Sequence, residues 1–202
     1  MANLPQKLKP FRDYDEHDVI NLFAFGDSAV ALGVTDVVYA GSVVKIKTGW
    51  SNGDETQDMI APVGAEYDNT VSKRWGVTAD VEYCNGGSET PLGITLYDVR
   101  EYDENQEALK FNPRKQDELQ CSLTGQAVPI ATKGTFLTAT GAWGGTNTED
   151  VAAGDKIYPT GNGQMATPNS VPAIAAGVTV ASIGKVLGGP DADGSILIKL
   201  EL

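Results

Sequence analysis

Short runs in which apolar and polar residues alternate recur along most of this chain. Residues 195–202 place isoleucine or leucine at every second position, and residues 42–48 place Val44 and Ile46 on one face with two lysines on the other. A period of two residues is typical of a strand with one buried face. Further strands are predicted over residues 19–25, 36–39, 80–84, 92–100, 126–132, 135–139, 155–160, 164–167 and 181–187.

Turn-forming residues separate these runs. Gly161-Asn162-Gly163 lies between two predicted strands and favours a hairpin whose turn needs positive φ. Many short strands with regular turn signals and few helices indicate a mainly β chain. We therefore expect a β-sandwich or a small β-barrel-like module with short helices and an extended N-terminal arm.

Two short helical segments are predicted over residues 103–110 and 113–119, which are rich in Glu, Gln, Lys, Arg and Leu. Asn112 is suited to cap the second segment, and Pro113 fits the first helical position. Each segment has room for one or two turns, so neither defines the fold.

The N-terminal stretch, residues 1–18, has no hydrophobic period. It contains two prolines, three basic residues and then a run of carboxylates. We interpret it as an extended arm. It is either a frayed terminus or a segment that becomes ordered on a neighbouring subunit.

The charge of the chain is unevenly distributed. Fifteen Lys and Arg residues against 27 Asp and Glu residues give a formal net charge of −12. Residues 1–125 carry 11 basic and 21 acidic residues, and residues 126–202 carry four and six. A change in charge density suggests separate regions. The predicted organisation is an arm (1–18), an acidic β-rich region with a short helical segment (19–125) and a β-rich module (126–202).

The same composition argues against several classes of partner and location. A net charge of −12 does not suit binding to nucleic acid or to an anionic membrane surface. The N-terminus lacks the apolar segment of a signal peptide, and no apolar run reaches the roughly 20 residues that span a bilayer. We therefore expect a protein made in a cytoplasm, with Cys84 and Cys121 reduced, although their pairing stays possible.

Candidate chemistry is sparse. His17 is the single histidine and lies in the acidic arm, which favours a solvated side chain over a catalytic one. Residues 190–195 contain the DxDG pattern of a calcium loop but lack its closing glutamate, and turn chemistry explains them equally well. The acidic residues of the arm are interpreted as a solvated face or as a contact for a basic partner. No catalytic residue, metal ligand or cofactor site is predicted.

The segment from Ala127 to Leu202 carries a recognisable order of motifs. It contains, in sequence, Val128-Pro129-Ile130, Gly134-Thr135-Phe136, Val151-Ala152-Ala153-Gly154-Asp155-Lys156-Ile157-Tyr158, Gly163-Gln164-Met165, Ile183-Gly184-Lys185-Val186-Leu187 and Ile196-Leu197-Ile198-Lys199-Leu200. This layout resembles that of tailed-bacteriophage head decoration proteins, also called capsid cement proteins. The family-motif positions are filled by Gly154, Asp155, Tyr158 and Gly184.

The resemblance implies a virion protein without catalytic activity, made in the host cytoplasm and located on the capsid exterior. Family members usually sit as trimers on threefold positions and use an N-terminal arm to staple capsid subunits. The implied partners are the major capsid protein and further copies of this chain. The arm residues expected to bind the capsid are Leu8, Pro10, Phe11 and Tyr14.

Two other functions are weighed beside this one. A phage tail or fibre component would bind host-surface glycans and would need a concave aromatic surface, which the sequence does not show. A hydrolase would need two positioned carboxylates, which 27 acidic residues can always supply. The presence of two carboxylates is therefore no indication of hydrolase activity.

Overall fold

The computed structural model describes residues 7–26, 37–49, 79–86, 88–144, 150–168 and 181–202. Over these residues the chain is mainly β, which confirms the fold class predicted from the alternating pattern. One α-helix, α1 (Pro113–Glu118), accompanies the strands in this part of the chain. In chain order the strands are β1 (Leu8–Asp13), β2 (Val19–Ile20), β3 (Ala24–Phe25), β4 (Val43–Thr48), β5 (Asp80–Tyr83), β6 (Gly93–Thr95), β7 (Asp98–Val99), β8 (Cys121–Ser122), β9 (Ile130–Ala131), β10 (Lys133–Thr138), β11 (Lys156–Thr160), β12 (Gln164–Ala166), β13 (Gly184–Gly188) and β14 (Ile196–Glu201).

The strands form two six-stranded sheets and one small pair. The first sheet has the order β1-β10-β14-β13-β11-β12, and all its pairings are antiparallel. The second sheet has the order β2-β9-β6-β4-β5-β3, in which only β3 and β5 run parallel. The parallel pair β7–β8 stands apart from both sheets.

The main hydrophobic core joins the two large sheets. The first sheet contributes side chains such as Phe136, Ile157 and Ile198, and the second contributes Val43 and Ile94, all of them fully buried. Successive residues of a strand point to opposite faces, so Val44, the neighbour of Val43, reaches a second core on the far side of the second sheet. That core contains Phe23, Phe25, Val38, Val44, Ala79, Val81, Val99, Val128 and Ile130. The arrangement is a β-sandwich-like fold with a second layer of packing.

Several local predictions are confirmed. In β14, Ile196, Ile198 and Leu200 are buried, while Leu202 beyond the strand is 37% exposed. The strands β11 and β12 form the predicted hairpin, with Asn162 at φ 59° and Gly163 at φ 62° in its turn.

The second helical segment is also confirmed. The Asn112 side chain accepts a hydrogen bond from the Lys115 amide at 3.2 Å, and Pro113 occupies the first turn of α1. An asparagine cap supplies an acceptor for an amide that has no partner within the helix.

The prediction of a helix over residues 103–110 is wrong. The Asp103 carboxylate accepts hydrogen bonds from the amides of Asn105 and Glu107, each at 2.8 Å, and this stabilises a turn. Gln106 takes a positive φ of 65° in that turn, and Tyr102 then bridges Ala108. Local side-chain acceptors of this kind compete with the helical ladder. Only Leu109–Phe111 forms a single 3₁₀ turn.

Two predicted strands are each divided. Residues 19–25 form β2 and β3, which lie at opposite edges of the second sheet. Residues 92–100 form β6 and β7, which belong to different sheets.

In β4, Val44 is buried as expected, but Ile46 is 48% exposed because the buried part of the strand ends before it.

The regions predicted on either side of residue 126 share both sheets. The strand β9 pairs with β2 and β6, and β1 pairs with β10. The change in charge density near residue 126 therefore coincides with no boundary between sheets.

Candidate binding surface at the first strand

The strand β1 is an outermost strand of the first sheet and contains six of the 18 residues of the predicted arm. It pairs with β10 through Leu8 opposite Thr138 and Asp13 opposite Thr135, with a register shift between Leu8 and Arg12. Within the described residues, no strand pairs with its second edge. An unpaired strand edge presents backbone donors and acceptors to another chain.

The side chains of β1 divide between the core and the surface. Leu8 is 7% exposed and belongs to the main core, whereas Pro10 and Phe11 are exposed, Phe11 by 52%. The Arg12 guanidinium turns inward, and its Nη1 donates a hydrogen bond to the Leu96 carbonyl at 3.0 Å. Tyr14, just after the strand, is 38% exposed and stacks on Phe136 with 5.9 Å between ring centroids. Three of the four predicted arm residues therefore lie at the surface, and Leu8 anchors the strand.

The edge of β1 is only partly available for strand addition. Pro10 has no amide to donate, and Lys9 and Asp13 add charge. Proline and charged side chains are common means of blocking unwanted pairing at sheet edges. A partner that binds here is therefore expected to use the exposed side chains as well as the backbone.

A groove of about 730 Å³ adjoins Tyr14. Its polar and aromatic lining includes Tyr14, Glu16, Tyr97, Gln116, Asp117 and Gln126. Its volume falls within the roughly 300–1,000 Å³ of typical ligand sites. Two aromatic rings beside carboxylates and amides are suited to a ligand that has both apolar faces and hydrogen-bond donors.

The amide of Gln116 is oriented by its neighbours. Its Nε2 donates to the Cys121 carbonyl at 3.0 Å and to Gln126 Oε1 at 2.8 Å. Gln126 Oε1 also accepts from the Leu123 amide at 3.1 Å, which fixes that atom as the oxygen. Gln116 Oε1 is consequently a buried acceptor, and it has no partner among the described residues. An unsatisfied buried acceptor favours a ligand that donates a hydrogen bond.

The family-motif positions have structural roles in the sheet. Gly154 takes φ +96° in the turn before β11, and the Asp155 carboxylate closes that turn by accepting from the Ala152 amide at 3.0 Å. Tyr158 is half-buried on β11. Gly184 permits close contact of β13 with β14, since a Cβ there would lie 2.1 Å from the Lys199 carbonyl oxygen. These residues shape hairpins and strand spacing.

The remaining candidates from the sequence do not converge. His17 is exposed in a 3₁₀ turn at Glu16–Asp18. The Asp191 carboxylate accepts from the amides of Asp193 and Ser195 at 2.9 and 2.7 Å, so it stabilises a turn. Over the described ranges, no group of three or more His, Cys, Asp or Glu residues is placed to hold a metal ion.

Both cysteines are free thiols buried in different clusters. Burial raises the pKa of each, and that of Cys121 reaches about 11. A raised pKa disfavours the reactive thiolate. Neither cysteine is therefore placed as a nucleophile.

Sequence reasoning did not single out Tyr97, Gln116 or Gln126. Tyr97 lies inside the strand predicted over residues 92–100 and Gln116 lies on the short helix α1, and only the tertiary fold brings them to one groove. No spacing along the chain signals this convergence.

No protein-family model matches the chain, and the searches of curated proteins and of solved structures gave no significant match. Across the residues that the structure describes, no helix has the length and hydrophobicity needed to cross a membrane.

Proposed function

We propose that this protein is a non-catalytic structural component of a bacteriophage virion. In this proposal it binds the outer surface of the capsid and stabilises the lattice. The observation that carries the proposal is the position of β1, an outermost strand with Phe11 52% exposed and Pro10 and Tyr14 beside it. Exposed aromatic side chains on a sheet edge suit attachment to another protein. The motif order of residues 127–202 supports the same function.

The stabilising effect would follow from mass action. A protein that binds the assembled shell, and not its separated subunits, shifts the equilibrium toward the shell. The expected partners are the major capsid protein and, in a homotrimer, two further copies of this chain. The net charge of −12 suits a protein that stays dispersed in the host cytoplasm before it reaches the capsid exterior.

A surface substitution tests the binding role of β1 without disturbing its anchor. Deletion of the arm would also remove Leu8 from the core, so the informative variant is Phe11→Ser. We expect its affinity for shells of the major capsid protein from the same phage genome to fall about tenfold, as for an aromatic contact at the centre of an interface. Co-sedimentation across a concentration series measures this.

The matched control is Phe111→Ser, which removes a phenylalanine of similar exposure, 61%, from the 3₁₀ turn at Leu109–Phe111. Its affinity is expected to equal that of the wild type. Wild-type affinity of Phe11→Ser, or an equal loss in both variants, would remove β1 from the proposed interface. Light scattering of the free protein tests the trimer, which would have three times the chain mass of 21.3 kDa.

A second candidate function is favoured by the groove beside β1. Tyr14 and Tyr97 supply ring faces, and Gln116 Oε1 supplies a buried acceptor, a combination suited to a saccharide. The protein would then be a tail or fibre component that binds host-surface glycans. A glycan array with wild type and Tyr97→Ala tests this. Specific glycan binding that is lost in Tyr97→Ala, together with no capsid binding, would favour it.

A further inference from the structure

A second, smaller cavity of about 240 Å³ lies on the inner side of β1. Its charged lining comprises Lys7, Arg12 and Arg100 with Asp98 and Glu104. Three cationic side chains thus meet two carboxylates in a protein whose overall charge is −12. The cavity departs from the acidic character of the rest of the chain.

The two guanidiniums are incompletely paired. Arg12 uses Nη1 to bind the Leu96 carbonyl, and Arg100 uses Nη1 to reach Glu104 Oε1 at 3.5 Å. The Nε atoms of both arginines are buried and have no partner among the described residues. Arg100 itself is only 7% exposed. Each guanidinium therefore retains its Nε–Nη2 edge, which matches two oxygens of a carboxylate or phosphate.

The carboxylates of the cavity leave these edges unoccupied. Asp98 accepts a hydrogen bond from the Ala40 amide at 2.8 Å, and no described ion pair joins Asp98 to either arginine within 4.0 Å. Glu104 is half-exposed and contacts Nη1 of Arg100 rather than its Nε edge. On the cationic side, the Lys7 ammonium donates to Ser42 Oγ at 2.9 Å. The charges present in the cavity do not complete the hydrogen bonding of the guanidiniums.

We propose that this cavity binds an oxyanion group, a carboxylate or a phosphate, on the Nε–Nη2 edges of Arg12 and Arg100. Its volume of about 240 Å³ suits a single such group with a few waters, not a nucleotide. Buried guanidinium donors without partners are costly, so an oxyanion that satisfies them is stabilised. Lys7 and Arg12 lie on the N-terminal segment, whereas Arg100 follows β7, so the bound group would link β1 to the remainder of the fold.

The test uses the full chain titrated with inorganic phosphate and, separately, with acetate, at constant ionic strength set with chloride. We expect saturable binding, with a shift of the Arg12 and Arg100 Nε–H signals in ¹⁵N NMR spectra. Saturation by acetate at equal or lower concentration assigns a carboxylate, and saturation by phosphate alone assigns a phosphate. Saturation by neither overturns the proposal.

Two variants and a control distinguish oxyanion binding in the cavity from a general effect of charge on binding. Arg100→Lys and Arg12→Lys keep the charge but lose the two-donor edge, so the affinity for the oxyanion is expected to fall about tenfold. The control Arg114→Lys changes an arginine whose side chain is 91% exposed on α1, and its affinity is expected to stay at the wild-type value. Equal affinity in all four proteins would overturn the proposal. Because Arg100 is buried, circular dichroism is used to check that the Arg100→Lys variant is folded. If that variant is unfolded, Arg12→Lys tests the proposal independently.

Hydrogen exchange supplies a second measurement. We expect saturating oxyanion to slow exchange of the β1 amides more than that of the β11–β12 hairpin. Equal protection in both elements would show general stabilisation by salt and would contradict a link formed through β1.

Discussion

Lys7, the residue directly before β1, is a buried charged residue whose protonation affects the stability of the fold. The residue is 9% exposed, and its ammonium donates a hydrogen bond to Ser42 Oγ at 2.9 Å and lies 5.5 Å from the centroid of the Tyr83 ring. Burial lowers the pKa of Lys7 from 10.5 to about 8. The folded state therefore holds the charged form of this side chain at a free-energy cost.

The sign of the pH dependence follows from this lowered pKa. Well below pH 8 the Lys7 ammonium is charged in both the folded and the unfolded chain, so its burial destabilises the folded state to the full extent. Between about pH 8 and 10.5 the folded state releases its proton first, so the contribution of Lys7 to stability becomes more favourable as pH rises. We predict that Lys7→Met raises the free energy of unfolding at pH 7 by about 1–3 kcal/mol, and that this gain shrinks by pH 9.5.

Urea unfolding of wild type, Lys7→Met and Lys9→Met at pH 7 and pH 9.5 measures this effect. Lys9 is the nearby control, since it lies two residues further along, on β1, and is only partly buried. The comparison between variants also removes the opposing contribution of the buried cysteines, whose raised pKa values make stability fall at high pH. A gain in Lys7→Met that is the same at both pH values would contradict the prediction.

At the scale of elements, the spacing of β13 and β14 depends on one glycine. Gly184 lies opposite Leu200, and an added Cβ would meet the Lys199 carbonyl oxygen at 2.1 Å. We predict that Gly184→Ala lowers the free energy of unfolding by at least about 1–3 kcal/mol, because β13 and β14 must move apart to admit the methyl group. Chemical denaturation followed by circular dichroism provides the measurement.

Gly161→Ala is the matched control for that substitution. Gly161 starts the turn between β11 and β12, and a Cβ there would meet nothing within 4 Å. Its free energy of unfolding is expected to stay within about 0.5 kcal/mol of the wild type. An equal loss in both variants would mean that the close contact at Gly184 is not the cause.

The elements differ in how far the sequence specifies them, and the reason is local. The strand β14 and the helix α1 follow from alternation and from an asparagine cap, which act within a few residues. Residues 103–110 have helical composition, yet two hydrogen bonds that the Asp103 carboxylate accepts stabilise a turn instead. The division of residues 19–25 between two sheet edges depends on partners more than 50 residues away, which composition does not reveal.

At the scale of the whole molecule, the candidate sites could be predicted only in part. The arm residues Phe11 and Tyr14 were identified through a family resemblance, and both lie at the surface. The two cavities beside them were not predicted, because each is lined by residues from distant parts of the chain, such as Arg12 with Arg100. Such convergence is a property of sheet topology, and no motif in the sequence encodes it.

The same topology predicts that residues 126–202 do not fold as an independent unit. The main core combines Leu8, Val43 and Ile94 from the first part of the chain with Phe136 and Ile198 from the second. A fragment of residues 126–202 would expose its share of this core and would lose β2 and β6 beside β9 and β1 beside β10. We predict that this fragment shows no cooperative thermal transition and that adding a fragment of residues 1–125 restores one.

Circular dichroism at both near- and far-ultraviolet wavelengths measures this outcome, since Trp143 is 5% exposed in the intact fold and reports on core packing. An equimolar mixture of the two fragments should recover the near-ultraviolet signal, because the buried apolar surface that drives association is shared between them. Cooperative unfolding of residues 126–202 alone would contradict the prediction and would support the sequence-based division at residue 126. The charge difference across that residue would then mark a real boundary between modules rather than a difference in exposed surface.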